Sequence, residues 1–181
     1  MIHSFKGKTP RIAASAFVSE SAQVIGQVEI GPHSSVWPGA VIRGDLGKVV
    51  IGEYTAVEDN CVIHAGSPTS PEQDVLIGNE VHIGHGAVLN NRRIGNNVLI
   101  GMNATLLHDA EIGNFCIIGA ACLVTQGMKV PDRSFVAGVP GKIKGQVSDD
   151  QSFWIKEAPQ AYSRLAAQYK RELDNLKIDE S

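Results

Sequence analysis

Residues 94–136 read IGNNVLIGMNATLLHDAEIGNFCIIGAACLVTQGMKVPDRSFV. Every sixth position is aliphatic: Ile94, Ile100, Leu106, Ile112, Ile118, Val124, Val130 and Val136. Val, Ile and Leu make up 45 of 181 residues, so eight in succession at one spacing has a chance of ~10⁻⁵. The rhythm extends upstream through Val18, Val24, Ile30, Val36 and Ile42, then Ile51, Val57 and Ile63, then Ile77, Ile83 and Leu89. A glycine follows many of these positions, as at Gly52, Gly84 and Gly101, and a small residue stands four after most of them.

A period of six matches neither the 3.6 of a helix nor the 2 of a long flat strand. It matches a short strand plus a corner. Three such units close a triangular coil, and stacked coils make an all-β solenoid, a parallel β-helix. Each aliphatic then points into the prism and meets its equivalent one coil away, so every coil is held by its neighbours. The predicted solenoid spans residues 1–146. From about Val147 the rhythm stops, and Ile155, Ala158, Tyr162, Leu165, Ala166, Tyr169, Leu173 and Leu176 fall three or four apart. That is one face of a helix, so residues 147–181 are expected to lie along the outside of the prism within a single domain. Pro159 is expected to start or kink this helix.

The rhythm slips in three places. Ile42 to Ile51 is three residues too long, Leu89 to Ile94 is one too short, and the 66–74 stretch (GSPTSPEQD) is expected to leave the prism as a loop. These slips surround His64, His82, His85 and His108. Irregularities on a rigid scaffold are where function concentrates. His3 and His33 have no acidic or histidine company and are expected at the surface.

Composition narrows the function classes. The formal net charge is −3, which gives no electrostatic basis for nucleic-acid binding. No long apolar run and no leader-like N-terminus is present, so no membrane partner is expected and a cytoplasmic location is. Cys61, Cys116 and Cys122 form no CxxC and each stands four after an inward aliphatic, where packing at a corner is the expected role.

The segments 41–45 (VIRGD), Ile51–Gly52, 58–64 (EDNCVIH), 83–89 (IGHGAVL), 100–103 (IGMN) and 137–142 (AGVPGK) together resemble the γ-class carbonic anhydrases. More narrowly they resemble the γ-carbonic-anhydrase-like proteins labelled ferripyochelin-binding or carnitine/phenylacetate-operon proteins. The resemblance runs over nearly the whole chain. It implies a left-handed β-helix and a homotrimer with a divalent metal at each subunit interface, zinc first and other divalent cations as alternatives. It implies two metal ligands, His64 and His85, contributed across neighbouring subunits. The third ligand position, a histidine in the family, is Asn90 here. His108 lies 18 residues after Asn90, one full coil, and would stack beside it if the short coil falls before Val88. His108 is therefore a candidate substitute, and His82, three before His85, is a second.

The resemblance also assigns Arg43 and Asp45 to an interface ion pair, Asp59 to an acid beside the site and Tyr162 to a helix tyrosine approaching the metal. Glu58 stands where glutamine is the rule, and an ionised carboxylate cannot donate a hydrogen bond as an amide can. Leu46 stands where active members place a proton-shuttling glutamate. The implied reaction is reversible hydration of CO₂ to bicarbonate, which needs hydroxide at neutral pH, and a bound cation supplies it. Two other readings fit the same architecture. One is a CoA-dependent acyltransferase using His64 or His85 as general base. The other is a non-catalytic trimeric binding or assembly protein.

Overall fold

The computed structural model describes residues 1–66 and 73–179, with helix side chains described as far as Leu173. The expected loop over 66–74 therefore lies largely outside the described residues. Its two ends are seen. Gly66 has φ +112°, and the Lys48 amide donates to Asp74 Oδ1 at 2.8 Å.

The periodic aliphatics build a parallel solenoid of three faces. The first face stacks Phe17–Val18, Ser35–Val36, Ala56–Val57, His82–Ile83, Leu99–Ile100, Ile117–Ile118 and Ser134–Ala137, closed by antiparallel Lys142–Gln146. The second carries Val62–His64, Val88–Leu89, Thr105–Leu106 and Leu123–Val124. The third carries Val75–Ile77, Arg93–Ile94, Glu111–Ile112 and Lys129–Val130. The strands Gln23–Ile30 and Val41–Ile51 run around the corner between these two faces and join them into one sheet. Ile94, Ile100, Leu106, Ile112, Ile118, Val124, Val130 and Val136 are all buried in one continuous core. Corners turn through left-handed residues, among them Asn60, Asn97, Asn103 and Asp109, a conformation that asparagine and aspartate tolerate well.

The three slips have definite places. Gly26 pairs with Gly44 and Val28 with Val49, so Gln27 alone faces Asp45–Lys48. The three surplus residues are pushed outward there and carry Asp45 and exposed Leu46. The short coil falls after Leu89, because Val88 and Leu89 still pair with Thr105 and Leu106, while Arg93 pairs with Glu111.

The C-terminal helix runs over Asp149–Asp179 with Pro159 inside it. Pro159 therefore does not start the helix. A capping box does: the Gln151 amide donates to Ser148 Oγ at 3.3 Å and the Ser148 amide to Gln151 Oε1 at 3.0 Å. Asp149 and Asp150 in the first turn suit the positive end of the helix dipole. The helix docks on the first face through an aromatic cluster outside the prism. Trp37 meets the rings of Phe17, Tyr162 and Tyr169 at 5.3, 5.4 and 5.2 Å, with Ala166 buried among them. Among the described residues no helix is long and apolar enough to cross a membrane.

Candidate functional site

Strand alternation decides what faces outward. Ile42 and Ile63 pair inside the prism, so Arg43 and His64, the next pair in register, project from the second face. The bulge after Gly44 turns Asp45 back toward them. His64 Nε2 lies 2.9 Å from Asp45 Oδ1, and Arg43 Nη2 lies 3.2 Å from His64 Nδ1. The same Arg43 Nη2 is 3.0 Å from Nε2, so the guanidinium borders both ring nitrogens while Nε2 faces Asp45. Arg43 Nε is 3.6 Å from Asp45 Oδ2. Burial raises the Asp45 pKa, but the hydrogen bond from His64 and the Arg43 charge outweigh it and hold this carboxyl below its ordinary range.

Asn90 joins this half of the site, and its amide is turned inward. Its Nδ2 donates to the main-chain carbonyl of His64 and reaches that of Gly66 at 3.4 Å. The side chain expected at the third ligand position thus ties the backbone at His64 to that at Gly66 through its Nδ2, and its Oδ1 stays open.

His85 sits on a different corner, in the turn after His82–Ile83. Its Nδ1 lies 2.9 Å from Asp59 Oδ2 and its Nε2 lies 3.2 Å from Glu58 Oε2. Glu58 is 3% exposed and gathers several donors. The His85 amide donates to Oε2 at 2.8 Å, His82 Nε2 is 3.1 Å from Oε1, and the Tyr162 hydroxyl approaches from the helix closely enough to favour the carboxylate. Burial disfavours the Glu58 carboxylate, yet the hydrogen bonds from His82 and Tyr162 and the nearby imidazoles draw its pKa below the ordinary range. Burial, and then the hydrogen bond to this carboxylate, push the Tyr162 phenol upward. Glu58 is therefore a buried acceptor surrounded by His82, His85 and the Tyr162 hydroxyl.

The two substitute histidines stand elsewhere. Because Leu89 pairs with Leu106, the residue in continuing register with Asn90 is Leu107. His108 is one position further on and does not stack on Asn90, since the short coil falls after Val88 and not before it. His82 is buried on the first face, 5.0 Å from the Tyr162 ring, where it serves Glu58. Cys61, Cys116 and Cys122 are buried and free, and burial raises the Cys61 thiol to about 12.

The sequence reading missed the junction of Glu58, His82, Tyr162 and the His85 amide. Its signal lies in the register: Val57 pairs with Ile83, which brings the next residue, Glu58, to the His85 corner.

The residues seen thus form two half-sites, Arg43–Asp45–His64–Asn90 and Glu58–Asp59–His85. Among the described residues no group of three or more His, Cys, Asp or Glu side chains is placed to hold a metal ion. The donors themselves, imidazoles backed by carboxylates, suit a divalent ion of zinc type. Among the described residues a single chain does not bring three of them together.

Residues 93–126 match the family of bacterial transferase hexapeptide repeats (six repeats). The chain is 45% identical over 157 residues to a probable carbonic anhydrase of Methanocaldococcus jannaschii, covering 86% of this chain and 95% of that one. It is 32% identical to a mitochondrial γ carbonic anhydrase 2 of Arabidopsis thaliana, covering 88% of this chain and 58% of the plant protein's length. The crystal structure of a putative acetyltransferase of Bacillus cereus superposes with a TM-score of 0.87 at 33% identity, covering 94% and 96% of the two chains. The chain belongs to the γ-carbonic-anhydrase-like family of hexapeptide-repeat proteins.

Proposed function

We propose that the protein is a homotrimer that binds a divalent cation, zinc first, between copies and hydrates CO₂ reversibly to bicarbonate. One observation carries the reading: His64 and His85 are each held ready by carboxylates, on separate corners of one chain, and neither half-site is complete alone. His64 and Asn90 of one copy would face His85 of the next. When bound, the cation supplies hydroxide at neutral pH by lowering the pKa of its water from 15.7 to about 7.

The chain's own residues set the stage. Asp45 orients His64 through Nε2, and Arg43 holds that pair. His64 would be one of the side chains that hold the cation, with Asp45 and Arg43 beside it. Asp59 at Nδ1 and Glu58 at Nε2 hold His85, and one of these two nitrogens would have to leave its carboxylate to hold the cation. Tyr162 and His82 keep Glu58 in place, so the C-terminal helix belongs to the site's frame. Leu46 is 63% exposed and carries no proton, so proton release passes directly to solvent or buffer.

Zinc-loaded protein, checked for its oligomeric state, is expected to hydrate CO₂ in stopped flow, and His64→Ala or His85→Ala is expected to remove both the metal and the rate. Metal retained at wild-type stoichiometry in either variant would overturn the reading. The likeness to a putative acetyltransferase keeps a second reading in view, a CoA-dependent acyltransferase with His64 or His85 as base. Heat released on titrating acetyl-CoA into the protein, with no CO₂ hydration, would select it.

A further inference from the structure

The coil bearing Asn90 and Asn91 is one residue short at its corner. Leu89 and Leu106, paired before the corner, are 17 residues apart, whereas Arg93 and Glu111, paired after it, are 18 apart. Asn91 alone therefore stands opposite two residues, His108 and Asp109. The backbone records the compression: the amides of Arg92 and Arg93 both reach the Ala110 carbonyl, at 3.0 and 3.4 Å.

A missing residue leaves room. A small chamber opens there, lined by Asn90, Asn91, His108, Asp109, Asp74 and Val75 among others. The space open to the centre of a water molecule is about 10 Å³, the scale of a single water. Asn91 is 1% exposed, and among the described residues neither its Oδ1 nor its Nδ2 has a hydrogen-bond partner. Two unpaired atoms of one buried amide are costly and rare. In continuing register one coil earlier the same corner holds Ala65, fully buried, so an apolar residue fits this column and the amide at Asn91 calls for an occupant.

The open atoms identify its chemistry. A cation would satisfy only Oδ1 and an anion only Nδ2. A water molecule donates to the first and accepts from the second, and the chamber's size admits little more. We infer that this corner is a built site for one structural water, bridging the Asn91 amide to the His108–Asp109 corner. Asn90, one residue earlier, holds the carbonyls of His64 and Gly66, so the water steadies the backbone from which the His64 half-site is framed.

A high-resolution crystal structure of the full chain tests it. The expected result is one ordered water within 2.7–3.2 Å of both Asn91 amide atoms, repeated in every independent protomer. An empty chamber, an ion, or a side chain from residues 67–72 in that place would overturn it. Asn91→Leu fills the room with apolar atoms and is expected to fold with the water gone. A water that persists on His108 and Asp109 in that variant would show that Asn91 does not hold it. Should the variant not fold, the native density at Asn91 decides the question.

Discussion

Replacing Glu58 by glutamine tests the junction that ties the His85 corner to the C-terminal helix. The carboxylate receives His82 Nε2, the His85 amide, the His85 ring and the Tyr162 hydroxyl. At 3% exposure it is scarcely screened by solvent. A net hydrogen bond to a charged group contributes about 1.5–3 kcal/mol. Glutamine keeps one acceptor oxygen, and its NH₂ faces donors in place of the other. Two charge-assisted bonds are lost, a cost of about 3 kcal/mol, within the ~3–5 kcal/mol seen when one partner of a buried ion pair is removed. With a urea slope of about 2 kcal/mol/M, the unfolding midpoint should fall by about 1.5 M. The comparison holds protein concentration fixed, because assembly would shift the midpoint. A double-mutant cycle adds the specificity: Tyr162→Phe should cost about 1 kcal/mol or more in the native background and almost nothing in the Glu58→Gln background. A midpoint that moves by less than ~0.3 M, or a Tyr162→Phe cost that is equal in both backgrounds, would refute the reasoning.

Three further outcomes follow from the same geometry. The Glu58 pKa is lowered in the fold, so its stabilisation is full above the ordinary glutamic-acid value of about 4.3 and is lost as pH falls through the lowered folded value; urea midpoints at pH 7, 4 and 3 should drop less steeply for Glu58→Gln than for the native chain, and parallel curves would contradict this. Asn90→His places an imidazole where an amide now stands and should raise zinc affinity about tenfold or more, read by competition with a chelator, while giving up the hydrogen bond to the His64 carbonyl at about 1 kcal/mol of stability; unchanged affinity would mean that this position does not face the cation. The three thiols are buried, with Cys61 raised to about 12, so a thiol reagent at pH 8 should label none in the native protein and all after denaturation.

The solenoid was legible because its signal is repeated: one wrong aliphatic would not hide a pattern that recurs from Val18 to Val136. The site was legible only in part. Spacing shows that a residue is missing between Leu89 and Ile94, but no glycine or proline in 90–93 marks where, and one step of register separates His108 beside Asn90 from His108 opposite Asn91. The apolar stripe reveals the helix, while Pro159, a candidate start or kink, lies inside it, and the signal for the start is Ser148 with Gln151 three residues on. Glu58, His82 and Tyr162 meet across coils and helix, and nothing local to any of them announces the others. Trp37 and Phe17 point out of the prism, and their role became visible only with the helix laid over them.

The central claim is that the cation lies between copies, with His64 from one and His85 from another. Mixing the His64→Ala and His85→Ala chains tests it most directly. Neither variant alone should bind zinc at the site. In randomly mixed trimers about one interface in four joins an intact His64 to an intact His85, so elemental analysis of the reassembled mixture should recover about a quarter of the native zinc. A mixture that binds no more metal than its two components apart would contradict the account.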